Sequence, residues 1–201
     1  MWEFLYLYGD MTAGVMLDRT GRRFLSEDWY GSWIGRIATQ YSPDACWVVV
    51  DDAMLQGILA TPYGSLMQPA YSADTLEELV GQLGIPADNA LDSVKRYNGQ
   101  CAAGVDADFG KSVDYLKPIE VAPFHALDAR PSVMASPLTL GGLKIDTSAE
   151  VLDLDGDPIP GLYAAGRTSS GVFGEYPGSG TSVADCVVFG RIAGEKAAAR
   201  S

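Results

Sequence analysis

Apolar positions in the first part of the chain follow the pattern of strands joined by turns. Residues 46–50 form a continuous apolar run, and the lack of alternation predicts a strand that is buried on both faces. Residues 12–18 and 22–25 flank a turn and predict a hairpin. Residues 31–38 fit a short helix, and residues 122–127 predict a further strand.

The middle of the chain has the spacing of two helices joined by a tight turn. Apolar residues recur at helical intervals on both sides of Gly84, which ends the first helix. Asp74, with Glu77 three residues later, is the predicted cap of that helix. Pro86 suits the first turn of the second helix and Gly104 stops it. The apolar face of the second helix consists of Leu91, Val94, Tyr97 and Cys101.

The last third contains shorter apolar segments separated by glycines, and the change in composition near residue 139 predicts a domain boundary. Residues 151–157 end in an Asp-Gly turn signal and predict a hairpin. Their three acids also suggest a calcium loop, but the closing Glu of such a loop is missing. Residues 161–166 predict a short buried strand, and Thr181 or Ser182 can cap a final helix.

Charge and composition exclude several classes of function. The 201 residues correspond to one domain or two small ones. The net charge of −12 and a pI near 4.3 exclude a protein that binds nucleic acid through the phosphate backbone. The apolar runs are too short to cross a bilayer, and no secretory signal opens the sequence.

The cysteines and the single histidine argue against a metal site. Cys46, Cys101 and Cys186 lack the CxxC spacing, and His125 alone cannot build a histidine-based zinc centre. We therefore expect no bound metal and a reducing, cytoplasmic setting.

A glycine-rich loop lies between the predicted strand 161–166 and the final helix. Gly171, Gly174, Gly178 and Gly180 let the backbone approach a flat or anionic ligand, and the following helix start offers free N–H groups. A surface loop with many turns is the alternative interpretation, and glycine content alone leaves both open. The loop matches neither a nucleotide P-loop nor GxGxxG.

The segment GLYAAGRTSSGVFGEYPGSGTSVADCVVFGRIAGEKAA, residues 161–198, resembles the C-terminal flavin-binding segment of one flavoprotein family. That family includes fumarate reductase and succinate dehydrogenase flavoprotein subunits and 3-ketosteroid dehydrogenases. Residues 73–111 resemble the cap domain of the same family, and GRRFLSED resembles its entry to the cap. The pieces APFHA, TLGGLKID and DGDPIPGLYAAG follow in the family's order.

The resemblance implies an α+β fold and a partial two-domain flavoprotein with FAD as cofactor. The expected parts are a tail of the first flavin-domain segment (1–18), an α/β cap domain (19–138) and the C-terminal strands and helix of the flavin domain (139–201). The N-terminal Rossmann unit that holds the ADP half of FAD in this family is missing from the sequence. The expected partner is that missing portion, from the same gene or a separate subunit.

Departures from the family's motifs indicate which branch of the family this sequence resembles. Leu138 stands where dicarboxylate enzymes carry a His, and YPGSG stands where they carry an Arg loop. Without these cations the sequence lacks the clamp that a succinate-like substrate needs. YPGSG instead resembles the substrate loop of ketosteroid dehydrogenases, which implies that the Tyr176 hydroxyl and the Gly180 N–H hold a ketone oxygen.

Such donors suit the removal of a proton beside a ketone, because negative charge then develops on the carbonyl oxygen. The resemblance also implies a tyrosine from the cap as proton acceptor. The candidates, among which the sequence does not choose, are Tyr30, Tyr41, Tyr63 and Tyr71.

The remaining candidate residues also follow from the resemblance. His125 stands where the family has an aromatic residue, so we expect it, with Tyr71, to line the substrate pocket. Glu27 matches a family Glu, although a solvated charge is the simpler expectation, and Cys186 is expected in the core. The expected flavin contacts are Gly166, Arg167, Gly174, Ser182 and Val183, with Arg167 replacing the family's usual Glu.

The sequence thus predicts part of an FAD-dependent dehydrogenase that oxidises or reduces a C–C bond next to a ketone in an apolar, steroid-like substrate. Three alternatives remain open: a non-catalytic cap-like binding module, a subunit of a split flavoprotein, and an ene-reductase like fumarate reductase.

Overall fold

The computed structural model describes residues 14–29, 31–60, 68–129, 141–171 and 181–200. The chain divides into two compact units, 1–136 and 137–201. In the described residues, no helix has both the length and the apolar character that a membrane crossing requires.

The first unit is built on a four-stranded antiparallel sheet. Its strands, in spatial order, are β1 (Val15–Asp18), β2 (Cys46–Asp51), β4 (Phe124–Asp128) and β3 (Tyr71–Ala73). All six residues of β2 are buried, which confirms the predicted strand at 46–50 and its burial on both faces. The predicted hairpin at the start of the chain reduces, in the described residues, to one bridge between Leu17 and Arg23.

Four helices accompany this sheet in the described part of the first unit: α1 (Gly31–Tyr41), α2 (Asp52–Leu59), α3 (Leu76–Gln82) and α4 (Ala87–Ala103). Gly84 and Gly104 both adopt left-handed conformations, with φ of 67° and 69°, and thereby end α3 and α4 as predicted. Val94 and Tyr97 of α4 are almost completely buried.

The cap of α3 differs from the prediction. The Thr75 side chain, and not that of Asp74, accepts the hydrogen bond from the Glu78 backbone N–H at 3.2 Å. The N-cap is therefore Thr75, one residue later than the predicted Asp74. Both pairs have the correct spacing, so the choice was decided by where the chain turns into the helix.

The second unit contains two small sheets and a long helix. Its elements are β5 (Leu143–Lys144), β6 (Glu150–Leu152), β7 (Pro158–Tyr163), β8 (Ser169–Ser170) and α5 (Thr181–Ala199). β5 pairs with β8 in parallel, and β6 pairs with β7 as the predicted antiparallel hairpin. The Asp153 carboxylate accepts backbone N–H groups from residues 155, 156 and 157, which accounts for its place in the turn.

Two predictions for the second unit are wrong. The predicted buried strand at 161–166 is instead the end of β7, which is exposed over most of its length because it pairs, among the described residues, with β6 alone. Cys186 was expected in the core, but it is exposed on α5. The helix begins at Thr181, so its cap position falls on residue 180, outside the described residues.

Candidate functional site

The structure describes six of the nine residues singled out as site candidates. Tyr176, Gly180 and Gly174 lie outside the described residues. Gly166, Arg167, Ser182 and Val183 belong to the second unit, and His125 and Tyr71 belong to the first. Of the candidate proton acceptors, Tyr30 and Tyr63 also lie outside the description, whereas Tyr41 is 58% and Tyr71 38% exposed.

Gly166 is the point where the chain leaves β7 and meets α5. Its φ of 68° is left-handed, and a Cβ placed on it would lie 2.7 Å from the Cys186 Sγ. The Ser169 hydroxyl donates to the Gly166 carbonyl at 2.7 Å and fixes the turn. Only glycine fits here without a shift of backbone or helix. Arg167, the next residue, is exposed.

A second close approach occurs at Gly142, beside β8. A Cβ on Gly142 would lie 2.6 Å from the carbonyl oxygens of both Thr168 and Ser169. The Gly-Gly pair of the TLGGLKID segment therefore brings its backbone against the turn that Gly166 begins. The two glycines give the second unit a tightly packed backbone turn close to the start of α5.

The first turns of α5 combine hydrogen-bond donors with an unpaired acceptor. The opening N–H groups of a helix have no carbonyl partner inside it, and they lie at the positive end of its dipole. Ser182 is half-buried and Val183 is 66% exposed. Asp185 is only 3% exposed, yet neither of its carboxylate oxygens has a hydrogen-bond partner in the part of the chain that the structure describes.

This donor and acceptor set suits a flavin. The edge of an isoalloxazine ring alternates carbonyl acceptors with an N–H donor, and the ribityl chain carries hydroxyls. The helix start supplies N–H groups for the acceptors, and Asp185 supplies an acceptor that lacks a donor. The close-packed turn at Gly166 holds the helix in place. The residues present therefore fit the flavin end of FAD, which consists of the isoalloxazine ring and the ribityl chain.

The second unit also exposes an unusual amount of apolar side-chain surface. On α5, Val183, Val187 and Val188 are 52% to 66% exposed. Other large apolar side chains exposed in this unit are Leu143, Leu154, Ile159 and Leu162. The three valines lie within two turns of one helix, and clustered apolar side chains often mark a face that another protein segment covers.

A buried charge cluster lies in the first unit, where the sequence predicted none. Arg23 donates to both carboxylate oxygens of Glu27, at 2.9 and 2.8 Å, and to Asp106 at 2.7 Å. The Lys111 ammonium lies 3.2 Å from Glu27 and donates to the Gly14 carbonyl at 2.8 Å. The expectation that Glu27 is a solvated charge is therefore wrong, because its side chain is 2% exposed and holds two cations.

Burial and pairing act against each other on the ionisation of this cluster. Burial alone would lower the pKa of Arg23, but the hydrogen bonds and charges of Glu27 and Asp106 outweigh it and raise the pKa above its usual range. Burial opposes ionisation of Asp106, yet Arg23 and the Lys111 N–H lower its pKa to about 2. Burial lowers the pKa of Lys111, and Glu27 works against that shift. The two cations and two anions balance in charge.

Only part of this cluster left a signal in the sequence. The motif GRRFLSED contains both Arg23 and Glu27, four residues apart, and such a spacing permits an ion pair. Asp106 and Lys111 lie about eighty residues further on, and only the packing of α4 beside β1 brings them to Arg23 and Glu27.

His125 lies in the centre of the sheet. Its Cα is paired with Val50 on one side and with Ser72 on the other. The Ser72 Oγ lies 2.8 Å from His125 Nδ1, and the Nε2 lies 3.5 Å from Asp52 Oδ1. Ser72 lines a groove of about 540 Å³ together with Asp74, Glu78 and Gln82.

Tyr71 precedes Ser72 on the edge strand, and its ring contacts that of Trp47 with centroids 5.6 Å apart. The structure places His125 and Tyr71 on neighbouring strands but on opposite faces of the sheet, because His125 is paired with Ser72 and side chains alternate along β3. Within the described ranges, no group of three or more His, Cys, Asp or Glu side chains is arranged to hold a metal ion.

Comparison with known proteins identifies the family. A family profile described as an FAD binding domain matches residues 10–183. A probable fumarate reductase of Shewanella frigidimarina and the digoxin reductase of Eggerthella lenta are each 33% identical over 92% of this chain. Among solved structures, the 3-ketosteroid-Δ4-(5α)-dehydrogenase of Rhodococcus jostii RHA1, in complex with 4-androstene-3,17-dione, matches with a TM-score of 0.81 and 35% identity.

The matches cover nearly all of this chain but only part of each relative. The chain spans 31% of the Shewanella protein and 35% of the digoxin reductase. The structural match includes 94% of this chain and 39% of the Rhodococcus chain. The mixed helix and strand fold, the partial flavoprotein domain and FAD as cofactor are confirmed. The chain therefore belongs to the FAD binding domain family of oxidoreductases.

Proposed function

We propose that this chain is the cap and C-terminal flavin-facing part of a dehydrogenase that oxidises a C–C bond next to a ketone in an apolar, steroid-like substrate. The observation that most strongly supports this proposal is the match to the ketosteroid dehydrogenase over 94% of the chain. The YPGSG loop supports the same branch. In this proposal residues 1–18 end the first flavin-domain segment, 19–138 form the cap and 139–201 face the flavin.

Tyr176 and Gly180 are the proposed catalytic donors. Removing a proton beside the ketone places negative charge on its oxygen, and a phenol and a backbone N–H held in advance at that oxygen stabilise the charge. FAD, when bound, supplies the acceptor for the hydride from the adjacent carbon. A tyrosine of the cap takes the proton, and Tyr71 and Tyr41 are the described candidates with exposed side chains.

Gly166, Arg167, Gly174, Ser182 and Val183 are the proposed flavin contacts. The glycine turn and the start of α5 support this assignment, because they place backbone donors and the unpaired Asp185 in one unit. His125 and Tyr71 are the residues proposed for the substrate pocket in the cap, and since their side chains lie on opposite faces of the sheet, each would line a different wall.

The rest of the FAD site is proposed to come from an N-terminal dinucleotide-binding portion, in the same gene or in a separate subunit. Two features of the second unit support this: the exposed valines of α5 and the orphan carboxylate of Asp185. Both are stabilised if a further protein segment covers them. A reducing, cytoplasmic setting completes the proposal, and the three cysteines are all free thiols.

The test joins this chain to a compatible N-terminal flavin half and follows flavin absorbance in a stopped-flow instrument. We expect a yellow protein whose flavin is bleached by a saturated 3-ketosteroid. The isolated chain should not retain FAD, since the ADP-binding portion is not part of it. A yellow protein that is inactive on every ketone tested would favour the binding-module alternative.

The second candidate is an ene-reductase, which the activities named for several relatives favour. They include reductases of fumarate, acrylate and urocanate. The same protein, with its flavin first reduced by dithionite, separates the two. Reoxidation by fumarate or acrylate, with no bleaching of the oxidised flavin by ketosteroids, would overturn the ketone assignment.

A further inference from the structure

His125 lies in a chain of hydrogen-bonding groups that joins three elements of the first unit. Its ring is 94% buried on β4, between Ser72 of β3 and Asp52 at the first turn of α2. One nitrogen is fully engaged, because Nδ1 lies 2.8 Å from the Ser72 hydroxyl. The other is not, because Nε2 is buried without a hydrogen bond to any residue that the structure describes, and it faces the Asp52 carboxylate at 3.5 Å.

The two ring nitrogens meet different partners when the imidazole is charged. An imidazolium donates from both nitrogens, and both neighbours can accept: a hydroxyl at Nδ1 and a carboxylate at Nε2. A shift of a few tenths of an ångström would bring the Asp52 oxygen from 3.5 Å into hydrogen-bond range. The Asp52 oxygen already accepts the Gln56 amide at 3.1 Å, and a carboxylate oxygen can accept a second bond from the ring.

Asp52 is the charged group that the structure places against the ring, and the elements nearby carry acids as well as one cation, Lys117, which shares a cleft with Asp51. Asp52 begins α2, and Asp51 ends β2, where its oxygens accept N–H groups from Met54, Glu120 and Val121. Asp74 and Glu78 line the groove beyond Ser72. An imidazolium is therefore attracted by Asp52, the carboxylate within reach of the ring.

We propose that His125 is a proton-operated clamp that fastens the edge strand β3 to the first turn of α2. When the ring takes up a proton, Nε2–H closes on the Asp52 carboxylate and Nδ1–H is held by Ser72. The Ser72 hydroxyl then turns its own hydrogen away from the ring, where the groove lies. When the ring is neutral and Ser72 donates to Nδ1, the charge attraction to Asp52 is lost and β3 is held mainly by its pairing with β4.

The consequence is a sheet edge whose local stability depends on pH, independently of which substrate the protein binds. The Ala70 amide reports on it directly, because it donates to the Ala126 carbonyl at 2.8 Å beside β3. The Ala129 amide, which donates to Cys46 across β4 and β2, is the internal reference on the other side of His125.

The experiment is native-state hydrogen exchange by NMR on the full chain at pH 5.5 and pH 8.0, corrected for the intrinsic exchange rate. We expect Ala70 to be protected about fivefold more at pH 5.5, with Ala129 unchanged. Asp52→Asn and His125→Asn should abolish the difference, because neither can form the charged pair. Asp74→Asn, the matched control, makes the same chemical change beside Ser72 and should preserve it.

Equal protection of Ala70 at the two pH values in the unaltered chain would overturn the proposal. So would a difference that survives Asp52→Asn, or one that Ala70 and Ala129 share. If a variant does not fold, long-range 1H–15N spectra of the unaltered chain decide the matter. These spectra report the protonation of both ring nitrogens, and a ring in the same state at pH 5.5 and pH 8.0 would contradict the clamp.

Discussion

Removing Asp106 from the buried charge cluster is the perturbation that most clearly tests the packing of the first unit. Its side chain is completely buried and accepts the Arg23 guanidinium at 2.7 Å. It also accepts backbone N–H groups from Asp108, Phe109 and Lys111, at 3.1, 3.3 and 3.0 Å. Asp106→Ala therefore leaves a buried cation and three N–H groups without this acceptor.

The expected loss in the free energy of unfolding follows from the interactions that Asp106→Ala removes. Breaking a buried ion pair by deleting one partner costs about 3–5 kcal/mol, since the remaining charge stays buried. With a urea dependence of about 1–3 kcal/mol per molar, the unfolding midpoint should fall by about 1–5 M. Tryptophan fluorescence is the assay, because all four tryptophans precede residue 50 and so report on the first unit.

Asp108→Ala is the matched control. Asp108 is two residues away and also pairs with an arginine, but the Arg96 side chain is 67% exposed. Exposed pairs contribute little, so the midpoint should hardly move. Equal midpoint shifts for the two variants would refute the view that the Arg23 cluster supports this unit.

Three further changes test particular elements. Gly166→Ala should destabilise the second unit by about 1–3 kcal/mol in thermal unfolding followed by circular dichroism. Gly171→Ala shares the positive φ but has open space around its Cβ, so it should cost less. Thr75→Ala should cost about 1 kcal/mol in urea through loss of the α3 cap, whereas Asp74→Ala should cost almost nothing. The pKa of Asp106 is lowered to about 2 from 3.8, so its contribution is present above about pH 4 and is lost as the pH falls towards 2. Acid titration of Asp106→Asn should lack that component.

The elements that the sequence predicted correctly are those set by local signals. Gly84 and Gly104 end their helices because a left-handed residue closes a helix wherever it occurs. The strand at β2 followed from an unbroken apolar run, which needs burial on both faces. The Asp-Gly turn between β6 and β7 is equally local.

The features that the sequence did not predict depend on distant contacts. Glu27 is buried because α4 and the loop after it bring Asp106 and Lys111 to Arg23. The apolar residues of β7 predicted burial, but a hairpin strand is buried only where other segments pack on it. The role of His125 was also hidden, since Asp52 and Ser72 reach it only through the pairing of β2, β4 and β3.

The central claim of the functional account is that the Tyr176 hydroxyl of the YPGSG loop holds the ketone oxygen. This assignment rests on resemblance to the ketosteroid dehydrogenases. The most direct measurement is the turnover of Tyr176→Phe with a 3-ketosteroid, in this chain joined to its flavin-binding half. Loss of one donor to a developing oxyanion costs about 10²–10³ in turnover. We therefore expect a fall of at least a hundredfold, with the flavin spectrum unchanged and with Tyr163→Phe, on β7, close to the unaltered protein. Full turnover by Tyr176→Phe would contradict the account.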